Sequence, residues 1–108
     1  MGYIYSITNK LNGKRYIGFT KSDWHQRIYE IFSSAKNSYR VTPGSIYEAI
    51  EFYGKDNFYV SIKFFSNQEH ELRLEEKRLI NTLKTMYPYG YNKTNSGKLP
   101  DFNKEYEI

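Results

Sequence analysis

The sequence predicts an α+β fold, in which a small three-stranded antiparallel β-sheet is flanked by about three helices in the order β-β-α-α-β-α. Two runs that alternate between apolar and polar residues, 3–8 and 15–20, enclose Asn12-Gly13, and a third run alternates over 58–65. Three further segments carry apolar residues at helical spacing. Because 108 residues allow one modest core, we expect one domain with one site.

The first two runs predict a β-hairpin, since Asn-Gly is typical of a two-residue type I′ turn. Such a turn pairs Tyr5 with Thr20 and places Tyr5, Tyr16 and Gly18 on one face. Three apolar residues point to the other face and are the better candidates for the core: Ile4, Ile17 and Phe19.

The other elements follow from apolar spacing and from capping residues. In order they are a helix capped by Ser22 or Asp23 that fades near Asn37, a loop over 37–44, a helix over 46–53 ended by Gly54, a strand over 58–65 and a helix over 68–84. In the strand, we expect four apolar residues on one face: Phe58, Val60, Ile62 and Phe64. The chain after Gly90 has the composition of irregular surface chain, so we predict a domain over 1–97 and an irregular or disordered tail over 98–108.

Composition narrows the classes of function. The net charge of +4 and the pI near 9.2 fit a polyanionic partner, although charge alone is weak support. The absence of Cys excludes disulfides and thiolate metal sites. No apolar run approaches the roughly 20 residues of a membrane span, and no signal peptide opens the chain, so we expect a soluble, cytoplasmic protein.

The tyrosine pair of the hairpin has two interpretations. A phenol whose pKa is lowered by nearby cations and a metal-bound water network can act as a general base. Gly18 in a strand interior indicates a bulge or the close approach of another backbone. The alternative is that Tyr5 and Tyr16 are half-buried structural side chains, which the hairpin alone favours.

Glu76 stands on the apolar side of the last helix. With about 100° per residue, Glu76 lies about 40° from Leu72, inside the stripe of Leu and Ile, whereas Glu75 lies at about 300°, on its boundary. An unpaired buried carboxylate costs several kcal/mol, so Glu76 needs a cation, hydrogen-bond donors or a metal. A structural salt bridge with Arg27 is the alternative.

Arg27 lies at the edge of the apolar face of the first helix, where a guanidinium can reach over a site. Together with the tyrosines and Glu76 it completes a base, an anion clamp and a hard-metal ligand. These are the parts that phosphodiester hydrolysis requires, and one carboxylate is enough for Mg²⁺ because this ion keeps several waters.

Short motifs stand in a fixed order along the chain: Tyr3-Ile4-Tyr5, Tyr16-Ile17-Gly18, Arg27, AIEFYGKDNF over 49–58, Glu76 and GYNKT over 90–94. Their order and spacing resemble the GIY-YIG nuclease superfamily, which includes phage and intron homing endonucleases, some restriction enzymes and the incision domain of bacterial nucleotide-excision repair. The resemblance extends from the first motif to about Gly97. Each motif is short, so the order carries the match.

The resemblance implies a Mg²⁺-dependent endonuclease, with Mn²⁺ as a substitute, that hydrolyses DNA with low intrinsic sequence specificity. It implies a monomer or a transient dimer on DNA, in the cytoplasm of a bacterial or phage-infected cell. It also implies five roles: Tyr5 as general base or water-positioning group, Tyr16 as its neighbour in the water network, Arg27 as clamp on the scissile phosphate, Glu76 as the single metal ligand and Asn92 as support for the site.

Two positions depart from the family pattern. Tyr3 replaces the usual Gly of the first motif, a position that serves backbone geometry. Ile31 stands where many homing-type members have His, and neither His25 nor His70 matches that position. A catalytically weakened module that binds nucleic acid is therefore the alternative.

Six residues are candidates for DNA contact: Lys14, Arg15, Gly18, Lys21, Arg40 and Lys93. Each charged one is, taken singly, more often a solubilising surface residue. A third interpretation, a protein-interaction domain with exposed tyrosines, predicts neither salt-sensitive DNA binding nor a Mg²⁺ effect. The complete set of Tyr, Tyr, Arg, Glu and Asn favours the enzyme.

Overall fold

A computed structural model describes residues 1–35 and 43–93, and these form one sheet and three α-helices. The elements are β1 (Gly2–Asn9), β2 (Arg15–Thr20), α1 (Trp24–Ser34), α2 (Ile46–Tyr53), a 3-10 turn (Lys55–Asn57), β3 (Phe58–Ser66) and α3 (Glu69–Thr82). The sheet is antiparallel with strand order β2-β1-β3, which confirms the predicted fold class and element order. Most of the predicted loop, including Arg40, and the predicted tail over 98–108 lie outside the described residues.

The predicted residues Asp23 and Gly54 stand at helix ends, and Ser45 is a further cap that was not predicted. Asp23 accepts a hydrogen bond from the backbone N–H of His25 at the start of α1, and Ser45 accepts one from Glu48 at the start of α2. Gly54 ends α2 with a φ of +88°, a value that other residues rarely adopt.

The predicted hairpin register is wrong by two residues, because Tyr5 pairs with Gly18 and not with Thr20. A type I′ turn needs a positive φ at both central residues, and in the loop only Gly13 has one. Instead, hydrogen bonds from Asn9 N–H to the Lys14 carbonyl and from Gly13 N–H to the Asn9 carbonyl close a longer loop. A shift of two residues preserves the faces, so Tyr5, Tyr16 and Gly18 still share one.

Both faces of the sheet are covered, so the predicted core of Ile4, Ile17 and Phe19 is only half of the actual one. Those three pack under α3, in a cluster with Leu72, Leu79 and Ile80. The tyrosine face packs under α1 and α2, and its cluster contains Tyr5, Ile7, Ile31, Ala35, Ile46, Ala49, Ile50, Phe58 and Tyr91. We call these the α3 cluster and the tyrosine cluster.

A β-bulge divides β3 between the two clusters. Ile4 of β1 pairs with Phe64 and the next residue, Tyr5, pairs with Ile62, so Lys63 is the extra residue. Val60 and Ile62 therefore pack on the tyrosine cluster, while Phe64 packs on the α3 cluster. The prediction that all four apolar residues of β3 share a face is wrong at Phe64, because simple alternation contains no bulge.

The segment after α3 folds back along the free edge of β2. The backbone N–H of Tyr91 donates to the carbonyl of Arg15, and the Asn92 side chain hydrogen-bonds to Ile17. The prediction of surface chain directly after Gly90 is therefore wrong at Tyr91 and Asn92, which are 8% and 3% exposed. No helix in the described part of the chain is long and apolar enough to span a membrane.

Candidate active site

Tyr5 occupies the central strand, beside the bulge and directly opposite Gly18. Its ring lies where a side chain at position 18 would stand, so an added Cβ there would collide with the Tyr5 ring and hydroxyl. Gly18 is therefore required by the Tyr5 ring, which extends across the edge strand. Tyr5 itself is fully buried, and its hydroxyl has no hydrogen-bond partner of normal geometry.

Tyr16 lies beside Tyr5 on the same face. The two ring centroids are 6.4 Å apart and the rings are tilted by 47°. Burial raises the pKa of both hydroxyls above the usual value, and the charge of Glu76 raises them further, whereas Arg27 lowers them. At neutral pH both phenols are therefore protonated and able to donate hydrogen bonds.

Glu76 points inward from α3, as the helix periodicity predicts. It is 2% exposed and its Oε1 has no hydrogen-bond partner. Burial raises its pKa to about 7, an effect that the Arg73 charge only partly opposes. Its neighbour Glu75 is held at the surface by Arg78.

Glu76 lies close enough to the tyrosines to influence their pKa, although α3 covers the opposite face of the sheet. Its charge acts on the pKa of both Tyr5 and Tyr16, which places it within electrostatic range of the two hydroxyls. The salt bridge with Arg27, the alternative for a buried Glu76, is not formed in the described structure, where Arg27 pairs with Glu30. The unpaired Oε1 therefore remains available.

Arg27 lies on α1 at the border of the tyrosine cluster. Its side chain is 35% exposed, and its guanidinium Nη1 is 3.8 Å from a carboxylate oxygen of Glu30. The guanidinium is also close enough to the Tyr5 hydroxyl to lower its pKa, although the two groups do not complete a well-formed hydrogen bond. The exposed part of the guanidinium can therefore bind an incoming anion.

Ile31 takes the position at which the family often has His. It is 1% exposed and belongs to the tyrosine cluster. The side chain therefore contributes packing and no proton chemistry.

Asn92 hydrogen-bonds to the β2 edge through both atoms of its side-chain amide. Its Oδ1 accepts from the Ile17 N–H at 2.8 Å and from the Thr85 hydroxyl at 2.8 Å, and its Nδ2 donates to the Ile17 carbonyl at 2.9 Å. Ile17 stands between Tyr16 and Gly18, so Asn92 holds the strand that carries one tyrosine and supports the other. This geometry fits the supporting role that the resemblance implies.

The described candidates for DNA contact do not form one continuous patch of free charge. Lys21 is ion-paired with Glu69 at 2.6 Å, and Lys93 donates to the Pro43 carbonyl while lying over the Tyr87 ring. Lys14 and Arg15 are partly exposed at the start of β2. Gly18 is buried beneath Tyr5, so the Tyr5 ring explains the need for glycine at this position without any contact to DNA.

Tyr47 is a site residue that the sequence reasoning missed. It lies in the first turn of α2, is partly buried, packs on the tyrosine cluster and acts on the pKa of Tyr5 and Tyr16. The signal was weak, because Tyr47 adjoins the apolar stripe of α2 without belonging to its spacing.

Comparisons with known proteins identify the family and support the fold. The chain matches the family model of the GIY-YIG catalytic domain over residues 1–92. A search of curated protein sequences gives no significant match.

Two solved structures resemble the fold. A point mutant of the catalytic domain of the intron endonuclease I-TevI superposes with a TM-score of 0.74 at 24% identity, covering 88% of this chain and 96% of that one. The catalytic domain of the homing endonuclease I-TevI gives 0.68 at 23%, covering 87% and 99%. The family match spans most of the chain, so the protein belongs to the GIY-YIG family, and a GIY-YIG nuclease domain implies a DNA endonuclease.

Proposed function

We propose that this GIY-YIG domain is a Mg²⁺-dependent DNA endonuclease with Glu76 as its single protein metal ligand. The observation that carries the proposal is the buried Oε1 of Glu76, which has no partner and lies within electrostatic range of two phenols. An unpaired buried carboxylate is costly in a structural protein. The same group becomes favourable when a cation neutralises it.

The donor set fits a hard divalent ion. Mg²⁺ prefers carboxylate oxygens and keeps several waters, so a single Glu suffices. Within residues 1–35 and 43–93, no three His, Cys, Asp or Glu side chains converge. When bound, Mg²⁺ supplies positive charge that stabilises the pentavalent phosphate of the transition state.

The remaining side chains orient the reactants. Tyr5 and Tyr16 carry protons at neutral pH, because burial raises their pKa, and this favours the water-positioning role for Tyr5 over that of a general base. Arg27 has an exposed face through which to clamp the scissile phosphate by charge-assisted hydrogen bonds. Asn92 acts by holding Ile17 in place.

We further propose low sequence specificity, because two of the described candidate cations, Lys21 and Lys93, already bond within the chain and the remaining phosphate contacts would carry no sequence information. One site in a monomer cuts one strand, so we expect nicks, and double-strand breaks only through a transient dimer or a second encounter. The cytoplasm, where bacterial and phage DNA are accessible, is the proposed compartment.

The test is cleavage of supercoiled plasmid with Mg²⁺, beside an EDTA control and the variants Glu76→Gln and Glu75→Gln. Both variants change the same functional group, but Glu75 lies at the surface with Arg78. We expect nicked plasmid with the wild type and with Glu75→Gln, and none with EDTA or with Glu76→Gln.

Three other results would contradict this proposal, and each would support a different assignment. Loss of cleavage in Glu75→Gln with retention in Glu76→Gln would reassign the ligand. Salt-sensitive DNA binding without cleavage of duplex, branched or single-stranded DNA would leave a nucleic-acid-binding module, the alternative that Ile31 suggests. Neither binding nor cleavage would favour a protein-interaction domain.

A further inference from the structure

Tyr47 stands at the mouth of the site without a role in the mechanism above. It lines a pocket of about 260 Å³ together with Arg27, Glu30, Ile31 and Ser34. At about 30 Å³ per water molecule, this space holds a phosphate group with part of its hydration shell. Arg27, the proposed phosphate clamp, therefore forms part of the wall of a pocket large enough for a phosphate.

The Tyr47 side chain borders both the pocket and the tyrosine cluster. It packs on the tyrosine cluster, which contains Tyr5, and it influences the pKa of Tyr5, Tyr16 and Arg27. Residues on four elements thus lie close together: a phenol from α2, a guanidinium from α1 and one phenol from each of β1 and β2. A phosphate held by Arg27 in this pocket lies next to Tyr47.

The other walls of the pocket leave few groups that can donate to an anion. Ile31 is apolar and buried, and Glu30 is an acceptor. The contact between Glu30 and Arg27 is 3.8 Å long and half exposed, so it contributes little and an incoming phosphate can displace it. Tyr47 and Ser34 are the hydroxyl donors of this pocket, and only Tyr47 also adjoins the tyrosine cluster.

We propose that the Tyr47 hydroxyl donates a hydrogen bond to a non-bridging oxygen of the scissile phosphate, beside Arg27. This inference rests on the proposed nuclease function and adds a catalytic residue to it. A neutral donor stabilises the charge that builds up on these oxygens in the transition state without the cost of burying a second cation. It supplies a donor at the place where Ile31 supplies none.

The first test compares Tyr47→Phe with Tyr53→Phe on the nicking of plasmid. Tyr53 lies on the same helix and packs on the same cluster, so its variant controls for the loss of a hydroxyl from α2. We expect Tyr47→Phe to lower kcat roughly 10- to 100-fold with KM for DNA and melting temperature unchanged, as loss of one hydrogen bond to a charged group predicts. We expect Tyr53→Phe to match the wild type.

A substrate with sulfur in place of one non-bridging oxygen tests the contact itself, because sulfur is a poorer hydrogen-bond acceptor. One diastereomer should slow the wild type through loss of the Tyr47 contact, and that slowing should shrink in Tyr47→Phe. Equal slowing of both proteins by both diastereomers would overturn the proposal, as would an unchanged kcat or a kcat loss matched by a fall in melting temperature.

The nuclease activity and the role of Tyr47 can be refuted independently of each other. If the wild type does not cleave, the nuclease proposal is wrong. If the wild type cleaves, Glu76→Gln does not and Tyr47→Phe is as fast as the wild type, the nuclease stands and the role of Tyr47 is refuted.

Discussion

Two neighbouring groups of buried polar side chains differ in how they are hydrogen-bonded. In the first group, along the edge of β2 and at the end of β1, every side chain has partners: Asn92 bonds to Ile17 and Thr85, and Asn9 bonds to Tyr91. In the second group, the Tyr5 hydroxyl and the Glu76 Oε1 are the buried side-chain atoms without a partner among the described residues. We call the first the paired edge and the second the unpaired centre.

The difference separates stability from chemistry. Buried polar groups with partners stabilise and specify a fold, whereas unpaired ones cost free energy and persist where function selects them. Substitutions at the paired edge should therefore reduce stability, and substitutions in the unpaired centre should reduce activity. The four predictions that follow begin with the largest expected effect.

Removing the hydroxyl of Tyr5 should cost activity and little stability. Tyr5→Phe keeps the ring over Gly18 and deletes an atom that has no partner, so the free energy of unfolding should change by about 0.5 kcal/mol or less. The cleavage rate should fall roughly 100- to 1000-fold, or about 3 to 4 kcal/mol, because the water loses its orienting group. Plasmid nicking and urea unfolding of the same preparation measure both. A parallel loss of stability and rate would place Tyr5 among the structural side chains.

Asn92→Ala should produce the reverse pattern. It removes three side-chain hydrogen bonds and leaves the N–H and carbonyl of Ile17 without that partner, which should lower the free energy of unfolding by about 3 kcal/mol at about 1 kcal/mol per bond. Urea unfolding at fixed pH measures it, with the exposed Asn67→Ala as the matched control. A loss below about 0.5 kcal/mol would show that the β2 edge does not depend on this side chain.

The charge of Glu76 should make the metal-free protein less stable as pH rises. Burial raises the pKa of Glu76 from 4.5 to about 7, so between these values the folded state keeps a proton that the unfolded state has released. The contribution of Glu76 to stability is therefore largest below about pH 4.5 and falls until about pH 7, by up to about 3 kcal/mol at about 1.4 kcal/mol per pH unit.

Urea unfolding in EDTA from pH 5 to 8 measures this fall, with Glu76→Gln as the comparison. The fall should be smaller in Glu76→Gln, since the amide does not ionise, and Mg²⁺ should restore wild-type stability at pH 8 without affecting the variant. An identical pH profile for both proteins would mean that Glu76 is solvated in solution.

The unpaired centre was largely predictable from the sequence, because its signals are local. Helix periodicity places Glu76 inward and Glu75 outward. Strand alternation places Tyr5 and Tyr16 on one face in the predicted register and also in a register shifted by two residues. A carboxylate on an apolar stripe is visible without coordinates. The element order was predictable for the same reason.

The paired edge was not predictable, because it depends on contacts between distant parts of the chain. Asn92 and Ile17 are separated by 75 positions, and nothing local marks residues 91–92 as buried. The hairpin register depended on the φ of a single loop residue, Asn12, which is not positive as a type I′ turn requires, and the side-chain faces of β3 depended on a bulge at Lys63. Tyr47 was missed because its neighbours come from other elements.

The smallest effect is expected at the far end of the paired edge. The Tyr91 hydroxyl accepts hydrogen bonds from the side-chain amides of Asn9 at 3.1 Å and of Asn12 at 3.3 Å. Tyr91→Phe keeps the ring in the tyrosine cluster and removes this acceptor, so the free energy of unfolding should fall by about 1 kcal/mol, mainly because the buried amide of Asn9 loses its partner. Urea unfolding measures the loss against Tyr89→Phe, the same change at an exposed tyrosine.

The rate of plasmid nicking should not change in Tyr91→Phe, because this hydroxyl holds the hairpin loop and not the tyrosine pair. A loss of rate larger than the loss of stability would extend the catalytic centre to the paired edge and remove the distinction between the two groups.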